Sequence, residues 1–320
     1  MTRDSRATPV AELVERAQAG EPRAVARLIS LVEDRSPALR EVSAALTPLV
    51  GSAHIVGITG SPGVGKSTST SALVTALRAQ GRRVGVLAVD PTSPFSGGAL
   101  LGDRIRMQDH ALDEGVYIRS MASRGHLGGL SATAPQALRV LDAAGCDVVL
   151  VETVGVGQSE VEISGLADTT LVLLAPGMGD GIQAAKAGIL EIGDVFVVNK
   201  ADRDGAQSTR RELRSVIGMT DRGDGAWTPP ILLTTATTGD GVDEVVSAIG
   251  DHHAHLEASG ELTRRRLARV RREIEALALT EVSARFAHLS GDARLDTLAA
   301  QVLAGESDPF AAADTLIEHI

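Results

Sequence analysis

The stretch His54-Ile55-Val56-Gly57-Ile58-Thr59-Gly60-Ser61-Pro62-Gly63-Val64-Gly65-Lys66-Ser67-Thr68 admits few folds. Ile55, Val56 and Ile58 form a β-branched run, and from Ser67 to Gln80 the apolar residues Leu73, Val74 and Leu77 recur at helical spacing before Gly81 stops the helix. The order strand, glycine-rich loop, helix is that of a phosphate-binding loop. Its glycines let backbone N–H groups turn inward around phosphate oxygens. Gly60, Ser61, Pro62, Gly63, Val64, Gly65, Lys66, Ser67 and Thr68 are therefore expected to bind a nucleoside triphosphate. Lys66 reaches the β- and γ-phosphates and the Ser67 hydroxyl ligates Mg²⁺ in this reading.

From residue 54 to about 250 the pattern strand then helix repeats, with strands predicted at 55–59, 83–90, 116–119, 147–152, 169–174, 195–199 and 231–234. Runs such as Val148-Val149-Leu150-Val151 are apolar on both faces, as in a parallel sheet covered by helices. The predicted fold is a three-layer α/β P-loop domain with a mostly parallel sheet, its working loops at the carboxyl ends of the strands. Residues 1–51 read as an N-terminal helical extension, 52–258 as the nucleotide domain and 259–320 as a C-terminal helical arm. In that arm Leu267, Val270, Ile274 and Leu277 make an apolar stripe. Arg264, Arg265, Arg266, Arg269, Arg271 and Arg272 crowd the same helix and read as a solvated face, with a dimer or partner surface as the alternative.

A net charge of −10 argues against nucleic acid or an anionic membrane as partner and favours a protein. The single cysteine, Cys146, forms no internal disulfide and fits a reducing cytoplasm. Residues 1–20 have no signal-like apolar region and no run is long enough to cross a membrane. Of the 31 basic residues only Lys66, Lys186 and Lys200 are lysines. Two lie in nucleotide motifs, which makes Lys186 a functional candidate.

Asn199-Lys200-Ala201-Asp202 follows a predicted strand and points to guanine. The Asp202 carboxylate would accept from the guanine N1–H and N2–H₂, a donor pair adenine lacks. Asn199 would tie this loop to the phosphate loop, Lys200 would lie along the ring, and the loop Thr234-Thr235-Ala236 would present the Ala236 backbone N–H to the guanine O6. Asp90 and Glu152 end apolar strands and are candidates for holding Mg²⁺ or orienting the attacking water. Gly155 stands where an N–H could sense the γ-phosphate, and Asp103, on a glycine-rich segment, is either a switch ligand to Mg²⁺ or a helix cap.

Taken together these residues resemble the MeaB/ArgK GTPases, relatives of the human methylmalonic aciduria type A protein within the SIMIBI class. The resemblance is carried by 60–68, by Val89-Asp90-Pro91-Thr92-Ser93 leading to Gly102-Asp103-Arg104, by Glu152-Thr153-Val154-Gly155-Val156-Gly157-Gln158-Ser159-Glu160, by Pro176-Gly177-Met178-Gly179-Asp180 with Gln183 and Lys186, and by 199–202. It implies a GTP- and GDP-binding, Mg²⁺-dependent chaperone of an adenosylcobalamin-dependent acyl-CoA mutase, methylmalonyl-CoA mutase first among them. Such a chaperone gates cofactor loading and protects the mutase from inactivation. It also implies a homodimer through helical extensions, a third switch loop over 176–186 in contact with the mutase, and a cobalamin adenosyltransferase as a further partner. Gln158 is three residues beyond Gly155 and is not assigned to positioning water, so slow intrinsic hydrolysis is expected. A nickel-delivery GTPase, supported only by His252, His253 and His255, and a transport-system kinase are the rival readings.

Overall fold

The computed structural model describes residues 8–34, 36–91, 107–110, 112–123, 133–153, 162–177, 188–219, 223, 225–286 and 293–317. Helices α1 (Val10–Gln18), α2 (Pro22–Glu33) and α3 (Leu39–Leu46) come first. There follow β1 (His54–Thr59), α4 (Lys66–Ala79), β2 (Val84–Pro91), β3 (Val116–Ser123), α5 (Ala134–Ala143), β4 (Val148–Thr153), β5 (Thr169–Leu174) and the one-turn α6 (Ile189–Ile192). The chain continues with β6 (Val195–Val198), α7 (Ala206–Gly218), β7 (Ile231–Leu233), α8 (Val242–Ser259), α9 (Glu261–Phe286), α10 (Ala293–Leu303) and α11 (Pro309–Ile317).

All seven predicted strands form, and they make one parallel sheet in the order β3-β2-β4-β1-β5-β6-β7. The strand after the phosphate loop's helix pairs away from β1, while β4 and β5 flank β1 on its two sides. Strand order reverses around β1, and such switch points open a crevice beyond the carboxyl ends of the strands. Strands β1, β4, β5 and β6 are buried at every position, which explains why they read as unbroken apolar runs rather than alternating ones.

Two helical layers cover the sheet. On one face α1, α2, α3 and α5 bury Leu13, Leu28, Ile29, Val32 and Leu46 against Leu87, Val89, Val149 and Val151. On the other, α4 and α8 bury Leu73, Val74, Val245 and Ile249 against Val56, Ile58, Val86 and Leu150. A smaller cluster seats α7 on Val172, Leu174, Phe196 and Val198. Each fully buried aliphatic side chain contributes about 1.5–3 kcal/mol, so the N-terminal helices are integral to the core. Residues up to Arg269, including the first part of α9, form one compact unit, and those from Val270 onward form a second.

Candidate functional site

Two glycines fix the phosphate loop. Gly60 has φ 140°, and a Cβ there would lie 2.2 Å from the Leu173 carbonyl oxygen. Gly65 has φ 98° and a Cβ would lie 2.5 Å from Asn199 Nδ2, so the loop can approach β5 and the 199–202 segment only because these side chains are absent. Helix α4 begins at Lys66, which aims its first N–H groups and positive dipole end at the loop's interior. Lys66 is buried, and its Nζ donates to the carbonyl oxygens of Gly60 at 2.6 Å and Ser61 at 3.3 Å, which hold the ammonium over the loop.

Glu152 closes the far side of this loop. In the sheet it pairs with Ile58 of β1 and Ala88 of β2, one residue before β4 ends. Its side chain is 1% exposed, and Ser67 Oγ donates to Oε1 at 2.7 Å while Thr70 Oγ1 lies 3.0 Å from Oε2. A buried carboxylate bonded to the hydroxyl of the first helical turn is a hard-oxygen donor set that suits Mg²⁺. Asp90 is brought to the same end of the sheet, just beyond the Val89–Thr153 pairing, with its backbone opposite Ala122. Asp103, Gly155 and Lys186 lie outside the described residues, as does most of the segment 176–186.

The segment after β6 is locked to the phosphate loop. Asn199, 3% exposed, donates from Nδ2 to the Val64 carbonyl at 2.9 Å, and its Oδ1 accepts from Thr234 Oγ1 at 3.2 Å and the Ala236 N–H at 3.1 Å. One amide thus joins three loops. Lys200 has φ 57°, the only positive φ of a non-glycine among the described residues, and its Nζ donates to the Gly63 carbonyl at 2.6 Å. Two residues on, Asp202 is exposed. Thr235 takes its place through its N–H, which donates to the Asp240 carbonyl at 3.0 Å. The Ala236 N–H, expected at a base oxygen, here donates to Asn199 instead.

The arginines of α9 depart from expectation at Arg265, Arg266 and Arg269. They are not a solvated face: they grip two buried carboxylates at the amino ends of β5 and β6, the end of the sheet away from the phosphate loop. Asp168 accepts from Arg266 Nη2 at 2.9 Å, Arg269 Nη1 at 3.1 Å and the Ile55 N–H at 3.1 Å. Asp194 accepts from Arg265 Nη1 and Nη2 at 2.9 and 3.0 Å and from the Thr170 N–H at 2.8 Å. Burial alone would raise both carboxyls. For Asp168 the charges of Arg269 and Arg266 outweigh it, and for Asp194 the adjoining His252 ring and the paired Arg265 guanidinium do, so both sit below the usual aspartate range.

The three histidines have separate partners. His252 is fully buried, with Nδ1 2.8 Å from Thr169 Oγ1 and Nε2 3.3 Å from Asp194 Oδ1, an ion-pair distance without hydrogen-bond geometry. His253 packs on the His54 ring and His255 on Trp227. Burial, followed by the proximity of His253, lowers the His54 pKa to about 3, which leaves it neutral. Among the described residues no group of three or more His, Cys, Asp or Glu could hold a metal ion. Nothing in the sequence singles out Thr70 or the Asp168 and Asp194 clamp, since a helical threonine and aspartates before strands have many ordinary uses.

With this geometry in place, similarity to known proteins adds the decisive observation. The sequence model of the family described as methylmalonyl Co-A mutase-associated GTPase MeaB matches residues 25–290. The chain belongs to the MeaB family. A Pyrococcus horikoshii protein named as a GTPase is 49% identical over 98% of both chains. The GTPase ArgK of Escherichia coli is 40% identical over 79% of this chain and 78% of its own. The mouse mitochondrial methylmalonic aciduria type A homolog is 36% identical over 82% of this chain and 64% of its own. A crystal structure titled LAO/AO transport system kinase superposes with TM-score 0.72 at 30% identity, covering 98% of this chain and 99% of that one. The MeaB-family protein is thus a P-loop GTPase, and guanine nucleotide binding comes with the family.

Proposed function

We propose that this MeaB-family GTPase is a nucleotide-driven chaperone of an adenosylcobalamin-dependent acyl-CoA mutase, gating cofactor loading and protecting the mutase. The observation that carries it is the family match over 25–290, whose description names association with methylmalonyl-CoA mutase, on a chain whose phosphate loop, acidic strand end and base loop meet at the carboxyl end of the sheet. Methylmalonyl-CoA mutase is the first client to test, and a cobalamin adenosyltransferase the second partner.

In this reading the loop 60–68 wraps the phosphates with backbone N–H groups and Lys66 neutralises their charge. Asp202 selects guanine from its exposed position, while Asn199 keeps the base loop and phosphate loop in fixed register. Ser67 and Glu152 hold Mg²⁺, with Asp90 at the neighbouring strand end and Asp103 on the switch segment. Bound there, the ion would stabilise charge developing on the phosphate oxygens. Glu152 stands on the metal side rather than as a free base, because its carboxylate is buried and bonded to the Ser67 hydroxyl. Gly155 senses the γ-phosphate and Lys186, in the third switch loop, couples it to the mutase.

Helix α9 presents Ile274, Leu277, Leu279 and Val282 at 46–61% exposure, apolar side chains that a second copy would cover in a homodimer. No helix among the described residues is long and apolar enough to cross a membrane. With a net charge of −10 and one buried cysteine, the protein is assigned to the cytoplasm. The test is GTP turnover with and without purified acyl-CoA mutase. Slow turnover that the mutase accelerates is expected. Acceleration largely lost in Lys186→Ala, with basal turnover within a few-fold, assigns the coupling to that loop. No response to any co-purifying mutase would overturn the chaperone role.

A further inference from the structure

Thr70 has no part in the nucleotide motifs, yet it is fully buried beside Glu152. It lies three residues after Ser67 on α4, and residues at that spacing share a helix face. The helix thereby offers two hydroxyls to the two oxygens of one carboxylate: Ser67 Oγ to Oε1 at 2.7 Å and Thr70 Oγ1 to Oε2 at 3.0 Å. We propose that Thr70 is a positioning residue for Glu152, its hydroxyl fixing the carboxylate so that Oε1 stays at the Ser67 hydroxyl, on the edge where Mg²⁺ is held. The inference rests on the assignment of Ser67 and Glu152 to the metal side of the site.

The two hydroxyls are not equivalent. Ser67 is itself assigned to the cation, whereas Thr70 has no such competing duty. Its one proton has a choice of acceptors, Glu152 Oε2 and the Lys66 carbonyl oxygen, each 3.0 Å away. Bonding to the carbonyl one turn back is the ordinary habit of a helical threonine. An ionised carboxylate is the stronger acceptor, so the proton goes to Glu152. A glutamate side chain has several rotatable bonds, and a bracket that takes both oxygens removes the freedom a cation would otherwise have to restrict on binding.

The experiment is release of a fluorescent GDP analogue as a function of Mg²⁺ concentration, a binding readout that needs no turnover. Thr70→Val keeps the shape and removes the hydroxyl; its Mg²⁺ midpoint should rise roughly tenfold, the loss of one hydrogen bond to a charged group. GDP affinity without Mg²⁺ should stay near wild type, and Thr70→Ser should restore the midpoint. Thr70→Ala serves in place of the valine variant if that fails to fold. A wild-type midpoint in Thr70→Val, or an equal shift in the serine variant, overturns the proposal. Ser67→Ala and Glu152→Gln separate the two levels: if they also leave the midpoint unmoved, the metal-side assignment itself falls, and if they alone shift it, only the role of Thr70 does.

Discussion

Replacing Asp168 by asparagine isolates what the arginine clamp contributes. The wild-type carboxylate is fully buried, and Arg266 and Arg269, whose side chains are 24% and 15% exposed, direct their charge to it. Asparagine keeps the size and removes the charge, leaving two mostly buried guanidiniums facing a neutral amide. Breaking one side of a buried ion pair costs about 3–5 kcal/mol. At roughly 2 °C per kcal/mol for a unit of this size, the apparent unfolding midpoint should fall by about 6–10 °C. The pH dependence has a definite sign. Both Asp168 and Asp194 are lowered in the folded protein, so the stabilisation is complete above the unfolded aspartate pKa of about 3.9 and is lost as pH falls through the folded values. Calorimetry at pH 7 and near pH 3 should therefore show a large gap between wild type and Asp168→Asn at neutrality and a smaller one in acid. Because the clamp is at the amino ends of the strands, GTP affinity of the folded variant at low temperature should match wild type. A variant within about 1 kcal/mol of wild type at pH 7 would refute the claim that the clamp is a buried, ionised network.

Asp202→Asn reverses the hydrogen-bonding pattern toward guanine, and GTP affinity should fall by several kcal/mol while xanthine nucleotide recovers much of it, as read by competition binding. Cys146 is 2% exposed, and burial raises its thiol pKa to about 12, so native protein at pH 8 should resist iodoacetamide until unfolded.

The strands and the phosphate loop were legible because each is a local signal. Val148–Val151 has to be buried on both faces wherever it lies, and Gly60 and Gly65 announce a turn that other residues cannot make. Asn199 was legible for the same reason, its motif being contiguous. The partners of Arg265, Arg266 and Arg269 were not, since Asp168 and Asp194 are about 70 to 100 residues away and only the closed sheet sets them under α9. The three histidines behind the rival nickel reading are close in sequence, but helical geometry sends them to Thr169, His54 and Trp227. Thr70 was hidden because a hydroxyl on a helix acquires meaning only once the carboxylate opposite is known.

The packing of α1, α2 and α3 bears on how the protein can be cut. Strand β3 is the long edge of the sheet, eight residues from Val116 to Ser123, whereas the opposite edge, β7, has three. Helix α2 lies beside it, with Glu33 ion-paired to Arg119, and α1–α3 cover the face that carries Tyr117, Met121, Leu87 and Val89. A chain begun at residue 52 would retain every nucleotide motif and still lose that cover. What it would expose is a long strand edge next to an apolar face, the combination that recruits strands from other chains and precipitates. The shortest soluble piece of this GTPase therefore starts at its first helix, not at its first motif.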